Sequence, residues 1–446
     1  MLHPYRTLMA SALLFSTSLA GCAADPATKT AAQPAAMAAG KINIIADAFV
    51  ALSLEADVHE PGYVDAYYGP AAWRETAQAQ PRSIGDLVAE ARRLIAAVSA
   101  LQRDFADDPM KTQRLRALNA QLIAAETRLQ MMQGTRFSFA DEAEKLFGVR
   151  PRLQPLASYD AVLQRLDKLL PGTAPLADRI EALSAQFTIP KDRLKPVFEQ
   201  AIAMCRAKSS AHIAMPTGES FALSFVTDKS WSGYNYYQGD FHSKIEVNID
   251  FPIRLPRALD LGCHEGYPGH HLLNMKLEEK LVRERGWREF SIYPLYSPLS
   301  LIAEGSANYG IRLAFPNKQQ VERDIFMPLA GLPAAPSDDY WRIMDMVAEL
   351  SGARLTIAQQ YLDGEIDRAA ALALSEKYLL LTPERADQSI RFTEQYRSYV
   401  INYGLGEAMV RQYIEAGGAN EATKWRRMED LLSQPMLPTD LLPKRH

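Results

Sequence analysis

The chain has 446 residues, 48% of them hydrophobic, so it can bury a large core as two or three lobes or as one large helical domain. Its 49 basic and 53 acidic side chains leave a formal net charge of −4, which lacks the excess of positive charge typical of nucleic-acid binding. We therefore expect no nucleic-acid partner.

The N-terminal segment is typical of an exported lipoprotein. An apolar run at residues 8–19 is too short to cross a bilayer as a mature helix, and Leu19-Ala20-Gly21-Cys22 resembles the lipobox that is cleaved before a lipidated cysteine. We predict a signal peptide at residues 1–21, lipidation of Cys22 and a flexible tether at residues 22–40. Because Ala and not Asp follows the cysteine, we expect an anchor in the outer membrane, facing the periplasm. An ordinary cleaved signal peptide is the alternative.

Most of the remaining chain has helical periodicity, which predicts a mostly α (α+β) fold. Helices, often bounded by Gly or Pro, are predicted at residues 83–101, 110–132, 159–170, 191–207, 339–361 and 384–401. A boundary near residues 209–220 separates a helical N-terminal lobe at 41–210 from a second lobe at 211–446. A single unit containing a cleft is the alternative.

Two short strands are predicted within the second lobe. Residues 221–225 and 245–249 alternate large apolar with small or polar side chains, and Ser232-Gly233 and Gly239-Asp240 supply turns between them. We expect a small antiparallel sheet beside the helix that follows.

The segment Cys263-His264-Glu265-Gly266-Tyr267-Pro268-Gly269-His270-His271 holds three of the eight histidines of the chain. In the common motif H-E-x-x-H, two histidines on one helical face bind zinc, and the glutamate is free to act on a water molecule. Here Pro268 occupies the fourth position after His264. Because proline lacks the N–H and clashes with the preceding turn, the helix must bulge or break there.

The next imidazoles belong to His270 and His271. On an undistorted helix, His264 and His271 would lie about 10 Å apart, too far to share one zinc ion. A bulge that absorbs two residues would bring His270 to the position of the second motif histidine. We therefore predict His264 and His270 as ligands, with His271 as a supporting residue or a less favoured ligand.

A glutamate about forty residues later completes the predicted site. Residues 299–313 have helical periodicity, and Glu304 can reach across from that helix to the metal. Two imidazoles and one carboxylate leave a fourth zinc position open, as a catalytic site requires. We predict one Zn²⁺ per chain. Residues that could orient the ligands or contact substrate are Asp260, Asn308 and Tyr309.

The strings H-E-G-Y-P-G-H-H and A-E-G-S-A-N-Y resemble the patterns H-E-x-x-P-G-H-H and E-G-W-A-x-Y of the bacterial family called domain of unknown function 885. That family is grouped with the gluzincin metallopeptidases, and the resemblance extends from about residue 40 to the C-terminus. Thimet oligopeptidase-like enzymes (H-E-F-G-H) and the dipeptidyl peptidase III family (H-E-x-x-G-H) also close on Gly-His, which implies Gly269-His270 as the closing pair. Ser306 stands where the family pattern has tryptophan.

The C-terminal region resembles the same family more weakly. In its pattern R-Y-x-x-x-P-x-Q-x-x-x-Y-x-x-G, Tyr403 and Gly406 keep their spacing, but they lie one residue late relative to Arg391, and the proline and glutamine are missing. In related peptidases a tyrosine from this region donates to the developing oxyanion, which implies Tyr403. Arg391 is a possible substrate contact. The alternative tyrosines are Tyr309, Tyr396 and Tyr399.

These patterns predict a zinc-dependent hydrolase of peptide bonds in the lobe at 211–446, with Glu265 as general base. An extended peptide substrate could add a strand to the nearby sheet. One alternative is a zinc amidase acting on a non-peptide or cell-wall amide. Another is a metal-binding lipoprotein without catalysis, although a structural site has no use for a free glutamate. The sequence leaves open whether Cys205 and Cys263 pair.

Overall fold

A computed structural model describes residues 26–105, 107–333 and 337–443, with side chains from residue 40 onward except those of residues 337 and 338. The chain divides into two compact units, Met1–Lys41 and Ile42–His446. The site described below belongs to the second unit. Among the described residues, no helix combines the length and the apolar character needed to cross a membrane.

Helices dominate the described chain. The α-helices are α1 Pro26–His59, α2 Ala71–Ala79, α3 Ile84–Leu101, α4 Pro109–Met132, α5 Phe139–Phe147, α6 Asp160–Leu169, α7 Leu176–Ala185, α8 Lys191–Ser210, α9 Leu255–Glu265, α10 His270–Leu277, α11 Pro298–Ala314, α12 Lys318–Val321, α13 Met327–Ala330, α14 Ser337–Ala348, α15 Ala353–Leu362, α16 Arg368–Leu379, α17 Pro383–Tyr396, α18 Ile401–Glu415 and α19 Glu421–Ser433. Short 3₁₀ segments are Gln102–Phe105, Leu156–Tyr159, Arg288–Ser291, Arg397–Val400 and Pro438–Leu441, and π-helical turns are Glu278–Arg283 and Glu322–Phe326.

The strands form two small sheets. They are β1 Val64–Tyr67, β2 Ser220–Val226, β3 Gly233–Gly239, β4 His242–Asn248 and β5 Ile292–Pro294. Strands β1 and β5 pair antiparallel. In the other sheet β4 is central, with β2 parallel to it and β3 antiparallel to it. Phe221 lies opposite Ser243, and Asn235 lies opposite Ile245.

The predicted mostly α fold with a small sheet is confirmed, but the sheet is mixed and not wholly antiparallel. The difference comes from β3, which was not predicted because its tyrosines and asparagine do not give a simple apolar alternation. Strands β3 and β4 follow each other closely and form the hairpin. Strand β2 pairs with the other edge of β4 and runs parallel to β4.

Two predicted helices are shorter in the structure. The helix predicted at 339–361 is divided into α14 and α15, and between them Gly352 packs so close to Tyr159 that a Cβ would lie 2.3 Å from its hydroxyl oxygen. The helix predicted at 384–401 ends at Tyr396, because Arg397 has a φ of 52°. Arg397 Nε and the backbone N–H of Ser398 both donate to buried Glu142, at 2.8 and 3.1 Å.

Local capping explains why other predicted helices begin where expected. The Ser83 hydroxyl accepts the Asp86 N–H at 3.2 Å at the start of α3, and Asp108 accepts the Lys111 N–H at 3.1 Å at the start of α4. Each contact satisfies a backbone donor that has no partner within the helix.

The predicted N-terminal segments and lobes map onto the structure in different ways. Cys22 and the predicted signal peptide lie outside the described residues. Helix α1 begins at Pro26, so residues 26–40 of the predicted tether are helical. The predicted boundary at 210 and 211 coincides with the end of α8 and falls within the unit Ile42–His446. The division into two lobes therefore stays a prediction.

Close contacts between helices hold the elements that carry the site. A disulfide joins Cys205 of α8 to Cys263 of α9, with their Cα atoms 5.4 Å apart. Helices α11 and α18 meet through two glycines, since a Cβ on Gly305 would lie 2.4 Å from the carbonyl oxygen of Gly406. Glycine at both positions lets α18 pack directly beside the middle of α11.

Candidate metal centre

The motif helix breaks where Pro268 requires it. Helix α9 ends at Glu265, α10 begins at His270, and the peptide bond between Tyr267 and Pro268 is cis. The Gly269 N–H donates to the carbonyl oxygen of Cys263 at 3.2 Å, which folds the connection back against α9. A Cβ on Gly269 would lie 1.8 Å from the carbonyl oxygen of His264, so only glycine fits this turn.

This break brings two imidazoles face to face. His264 Nε2 and His270 Nε2 lie 3.0 Å apart, although six residues separate them in sequence. Their rings are nearly perpendicular, with centroids 4.6 Å apart. A break between two helices takes the place of the predicted bulge, and it turns His270, and not His271, toward His264.

Glu304 in α11 completes the cluster. Its Oε2 lies 3.2 Å from His264 Nε2, and its Oε1 lies 3.8 Å from His270 Nε2. The ligand atoms of these three residues all lie within 4.8 Å of one another. In a tetrahedral zinc site, ligand atoms at the usual bond lengths are about 3.3 Å apart, so the set fits such an ion. Within the described part of the chain, buried Glu304 Oε2 has no hydrogen-bond partner, so it is available to bind a metal ion.

Two further side chains hold the cluster in position. Asn308, one helical turn after Glu304, has its Oδ1 3.0 Å from His264 Nδ1. If Nδ1 carries the proton and donates to Asn308, Nε2 keeps its lone pair for a metal ion. The Tyr399 hydroxyl donates to Glu304 Oε1 at 2.7 Å. Both ligands therefore have an outer partner that fixes their orientation.

The electrostatics of the cluster suit a cation. Burial lowers the pKa of His264, but its close contact with Glu304 and the nearby carboxylate charges outweigh burial and raise it to about 9. Burial lowers the pKa of His270 to about 4, against the attraction of Glu304. Burial opposes ionisation of Glu304, yet contact with the two histidines brings its pKa below its ordinary value. Three donors thus converge on a position that favours positive charge.

Glu265 lies beside this cluster without joining it. It is 3% exposed, and burial raises its pKa to about 7, against the attraction of His264 and with a further contribution from the charge of Glu304. Its backbone carbonyl accepts a hydrogen bond from Asn235 Nδ2 at 2.7 Å. Strand β3 passes so close that a Cβ on Gly233 would lie 2.7 Å from Glu265 Oε1. Strand β3 therefore confines the Glu265 carboxylate next to the three candidate ligands.

His271 points away from the cluster into a polar network. Its Nδ1 lies 2.7 Å from the Ser243 hydroxyl of β4, and its Nε2 lies 3.3 Å from Glu219 Oε2. Glu219 also accepts hydrogen bonds from Tyr267 and Arg206. His271 is thus in contact with residues that hold the turn between α9 and α10, and its supporting role stays a prediction.

Tyr403 of α18 lies near the cluster with its hydroxyl free. Its ring centroid is 6.0 Å from that of Tyr399, and its hydroxyl makes no hydrogen bond with the described residues. Burial, followed by the charges of Glu304 and Glu265, raises the pKa of this phenol well above its ordinary value. The hydroxyl is therefore protonated and able to donate.

Three other predicted residues have partners away from the cluster. Asp260 accepts a hydrogen bond from Lys318. Arg391 pairs with Asp387 at 3.1 Å and is largely exposed. The Tyr309 hydroxyl donates to Glu415 at 3.5 Å. The structure brings none of these three side chains into contact with the histidines of the cluster.

One acidic residue near the site has no recognisable signal in the sequence. Asp65 of β1 accepts a hydrogen bond from the Tyr234 hydroxyl of β3. Burial raises the pKa of Asp65 to about 7, against that hydrogen bond, and the charge of Glu304 adds to the increase. No sequence motif surrounds Asp65, and the tyrosines of β3 are as compatible with an aromatic core as with a functional site. Only the proximity of β1 and β3 identifies the pair.

No family model and no curated protein matches the chain. Among solved structures, a candidate lipoprotein from Colwellia psychrerythraea is 14% identical, with 80% of this chain and 68% of that chain covered and a TM-score of 0.47. An M32 carboxypeptidase from Deinococcus radiodurans R1 is 15% identical, with 90% of this chain and 93% of that chain covered and a TM-score of 0.36. At these TM-scores neither likeness carries an argument about function, and the resemblance to the domain of unknown function 885 family stays a prediction.

Proposed function

We propose that the protein is a zinc-dependent hydrolase of peptide bonds. The observation that carries this proposal is the convergence of His264, His270 and Glu304 within 4.8 Å beside a buried glutamate that is not one of the three. Two imidazoles and one carboxylate are a catalytic zinc set, because they leave a position for water or substrate.

The chain's own residues have separate tasks in this proposal. Zinc held by the three ligands would polarise the substrate carbonyl and acidify a water molecule. Glu265 takes a proton from the attacking water and delivers it to the leaving amine. Asn308 and Tyr399 keep two of the ligands oriented through their hydrogen bonds of 3.0 and 2.7 Å. Tyr403 donates its free hydroxyl to the oxygen on which negative charge develops.

The test is a cleavage assay on the protein that begins at residue 22. The substitution Cys22→Ser keeps this protein unlipidated. The protein is loaded with zinc and incubated with a peptide library, with and without a chelator, and cleavage positions are read by mass spectrometry. We expect cleavage that the chelator abolishes and zinc restores. A zinc-loaded Glu265→Gln variant is the matched control, since it keeps the ligand set and lacks the base. Cleavage by that variant at the wild-type rate would contradict the mechanism, and no cleavage by the wild type would contradict the function.

We also propose that the protein is exported and anchored by a lipid on Cys22. The lipobox-like Leu19-Ala20-Gly21-Cys22 supports this proposal, and so does the disulfide between Cys205 and Cys263, because structural disulfides are typical of oxidising compartments.

A further inference from the structure

A cavity with a positively charged lining lies at the N-terminal end of α9, the helix that carries His264 and Glu265. Its volume is about 100 Å³, and its lining includes Arg254 and Arg257 at the start of α9 and Arg385 of α17. Ser232 and Gln388 add polar groups to the same lining. A cavity of this size can hold a carboxylate group together with water.

Two of the three arginines lack a negatively charged partner. Arg254 is paired with Glu181. Arg257 and Arg385 have no carboxylate within 4.0 Å among the described residues. Arg385 lies 4.9 Å from the ring centroid of Phe251, and burial lowers its pKa against the attraction of the more distant Glu181. Arg257 is exposed and Arg385 is half-buried, so both guanidinium groups can be reached by a ligand that brings negative charge.

The cavity and Glu265 lie on the same face of α9. Arg257, Leu261 and Glu265 follow one another at intervals of four residues, and Leu261 lines the cavity. Gly233 of β3 lies close to both Leu261 and Glu265. A Cβ at Gly233 would lie 2.9 Å from Leu261 and 2.7 Å from the Glu265 carboxylate. Leu261 of the cavity lining and the carboxylate of the proposed base therefore both lie beside Gly233.

The distance along the helix sets which part of a peptide could enter the cavity. Eight residues of α-helix rise about 12 Å between Arg257 and Glu265. An extended peptide advances roughly 3.3–3.6 Å per residue, and the arginine side chain covers part of the distance. A carboxylate about two or three residues from the scissile bond can thus reach the guanidinium groups.

A further arginine extends the same positive surface. Arg354 of α15 has no carboxylate within 4.0 Å among the described residues. Burial lowers its pKa, and Tyr403 and Arg257 are the charged or titratable groups close enough to influence it. Its side chain is still partly accessible, as expected for a group that lines a cleft. Arg354 therefore adds a positive charge near Arg257 and Tyr403.

We propose that Arg257 and Arg385 form a carboxylate-binding subsite, and that the preferred substrates are peptides with a carboxylate within about three residues of the scissile bond. This inference rests on the proposed hydrolase function and names its substrate class. The carboxylate is either the α-carboxylate of a peptide C-terminus or the side chain of Asp or Glu, because a guanidinium binds both in the same way.

The test compares four N-acetylated pentapeptides. Two are penta-alanine as the free acid and as the C-terminal amide. The other two are C-terminal amides in which Glu or Gln replaces the last alanine. We expect wild-type kcat/KM to be about 10- to 100-fold higher for the acid than for the amide, as for a charge-assisted pair. In Arg257→Gln and Arg385→Gln that ratio should fall toward one. Arg136→Gln, which changes an exposed arginine without a described partner, should keep the wild-type ratio.

The two Glu and Gln probes separate the sources of the carboxylate. A preference for Glu over Gln as large as that for acid over amide assigns side-chain carboxylates to the subsite as well. A preference for the free acid alone assigns the C-terminal α-carboxylate. Equal cleavage within both pairs overturns the subsite while leaving the hydrolase proposal in place.

Direct binding separates failure of the subsite from failure of the function. Zinc-loaded Glu265→Gln protein is titrated calorimetrically with the acid and amide probes, with and without Arg257→Gln in the same chain. Tighter binding of the acid, lost with Arg257→Gln, supports the subsite even if the wild type cleaves nothing, in which case only the hydrolase proposal fails. Equal binding of acid and amide by a variant of native zinc content and melting temperature overturns the subsite whatever the activity.

Discussion

Two adjacent histidines have different environments in this protein. His270 Nε2 lies 3.0 Å from His264 Nε2, whereas His271 lies 2.7 Å from Ser243 and 3.3 Å from Glu219. Successive residues of a helix project about 100° apart, so only one of them can face the cluster. Once the connection between α9 and α10 is fixed, the geometry selects His270.

We predict that the two histidines differ in their effect on zinc content. Wild type should bind about one zinc ion per chain. His264→Ala, His270→Ala and Glu304→Ala should each abolish tight binding, because each removes a ligand. His271→Ala should retain zinc, measured by elemental analysis after dialysis against a weak chelator. Zinc kept by His270→Ala and lost by His271→Ala would reverse our assignment.

We predict separable effects for the two tyrosines nearest the cluster. Tyr403→Phe should lower kcat and kcat/KM by similar factors of roughly 10², with little change in KM or zinc content, because its hydrogen bond strengthens only as charge develops. Tyr399→Phe removes the 2.7 Å hydrogen bond to Glu304 and should weaken zinc affinity by about 10-fold.

Tyr309→Phe and Tyr396→Phe are the controls for that pair. Tyr309 contacts Glu415 at 3.5 Å, and Tyr396 packs on Phe392 with ring centroids 4.6 Å apart, so both changes should affect stability more than rate. A wild-type rate for Tyr403→Phe with a severe loss in one of the others would move the oxyanion role to that tyrosine.

At the scale of elements, the connection between α9 and α10 decides whether the ligands meet. We predict that Gly269→Ala disrupts it, because the added Cβ would lie 1.8 Å from the His264 carbonyl oxygen. The change should lower the free energy of unfolding by about 1–3 kcal/mol or more and weaken zinc binding. Urea unfolding and zinc titration measure the two effects. Gly85→Ala in α3, where a Cβ has only ordinary contacts of 3.6 Å or longer, should change neither by a comparable amount.

The disulfide that joins α8 to α9 is a second constraint on the metal-binding helix. It closes a loop of 58 residues, for which the loss of chain entropy in the unfolded state corresponds to about 4 kcal/mol. We predict that the double change Cys205→Ser and Cys263→Ser lowers the free energy of unfolding by about 2–4 kcal/mol under oxidising conditions. Wild type treated with a reductant should approach the same stability. No difference between oxidised wild type and the double variant would show that the bond does not form.

At the scale of the whole molecule, the candidate site is assembled from distant parts of the unit Ile42–His446. Strand β1 contributes Asp65, α9 and α10 contribute the histidines, α11 contributes Glu304, and α18 contributes Tyr403. The glycine contact between α11 and α18 is central, because a larger residue at Gly305 or Gly406 would separate the tyrosines from Glu304. Metal binding and the packing of these helices should therefore stabilise each other.

The proposed lipid anchor is a property of the complete protein. We predict that wild type expressed with its N-terminus fractionates with membranes and incorporates labelled fatty acid, and that Cys22→Ser does neither. The unlipidated form should still bind zinc, because the ligands belong to the unit Ile42–His446. Membrane association of Cys22→Ser together with an unlabelled wild type would overturn the lipoprotein proposal.

The sequence by itself determined what depends on neighbouring residues. Helical periodicity and caps such as Ser83 predicted most of the helices, because these signals act within one or two turns. Pro268 required an interruption in the motif helix, and the order of Glu and His residues indicated zinc chemistry before any distance was known.

Only the tertiary structure decided what depends on contacts between distant segments. The pairing of β2 with β4, the disulfide between Cys205 and Cys263, and the pair formed by Asp65 and Tyr234 all join residues without a shared local pattern. The cavity with Arg257 and Arg385 likewise arises where α9 meets α17. A sequence pattern specifies the geometry within an element, whereas the distance between two elements is set by packing across the whole core, and the chemistry of this candidate site depends on those distances.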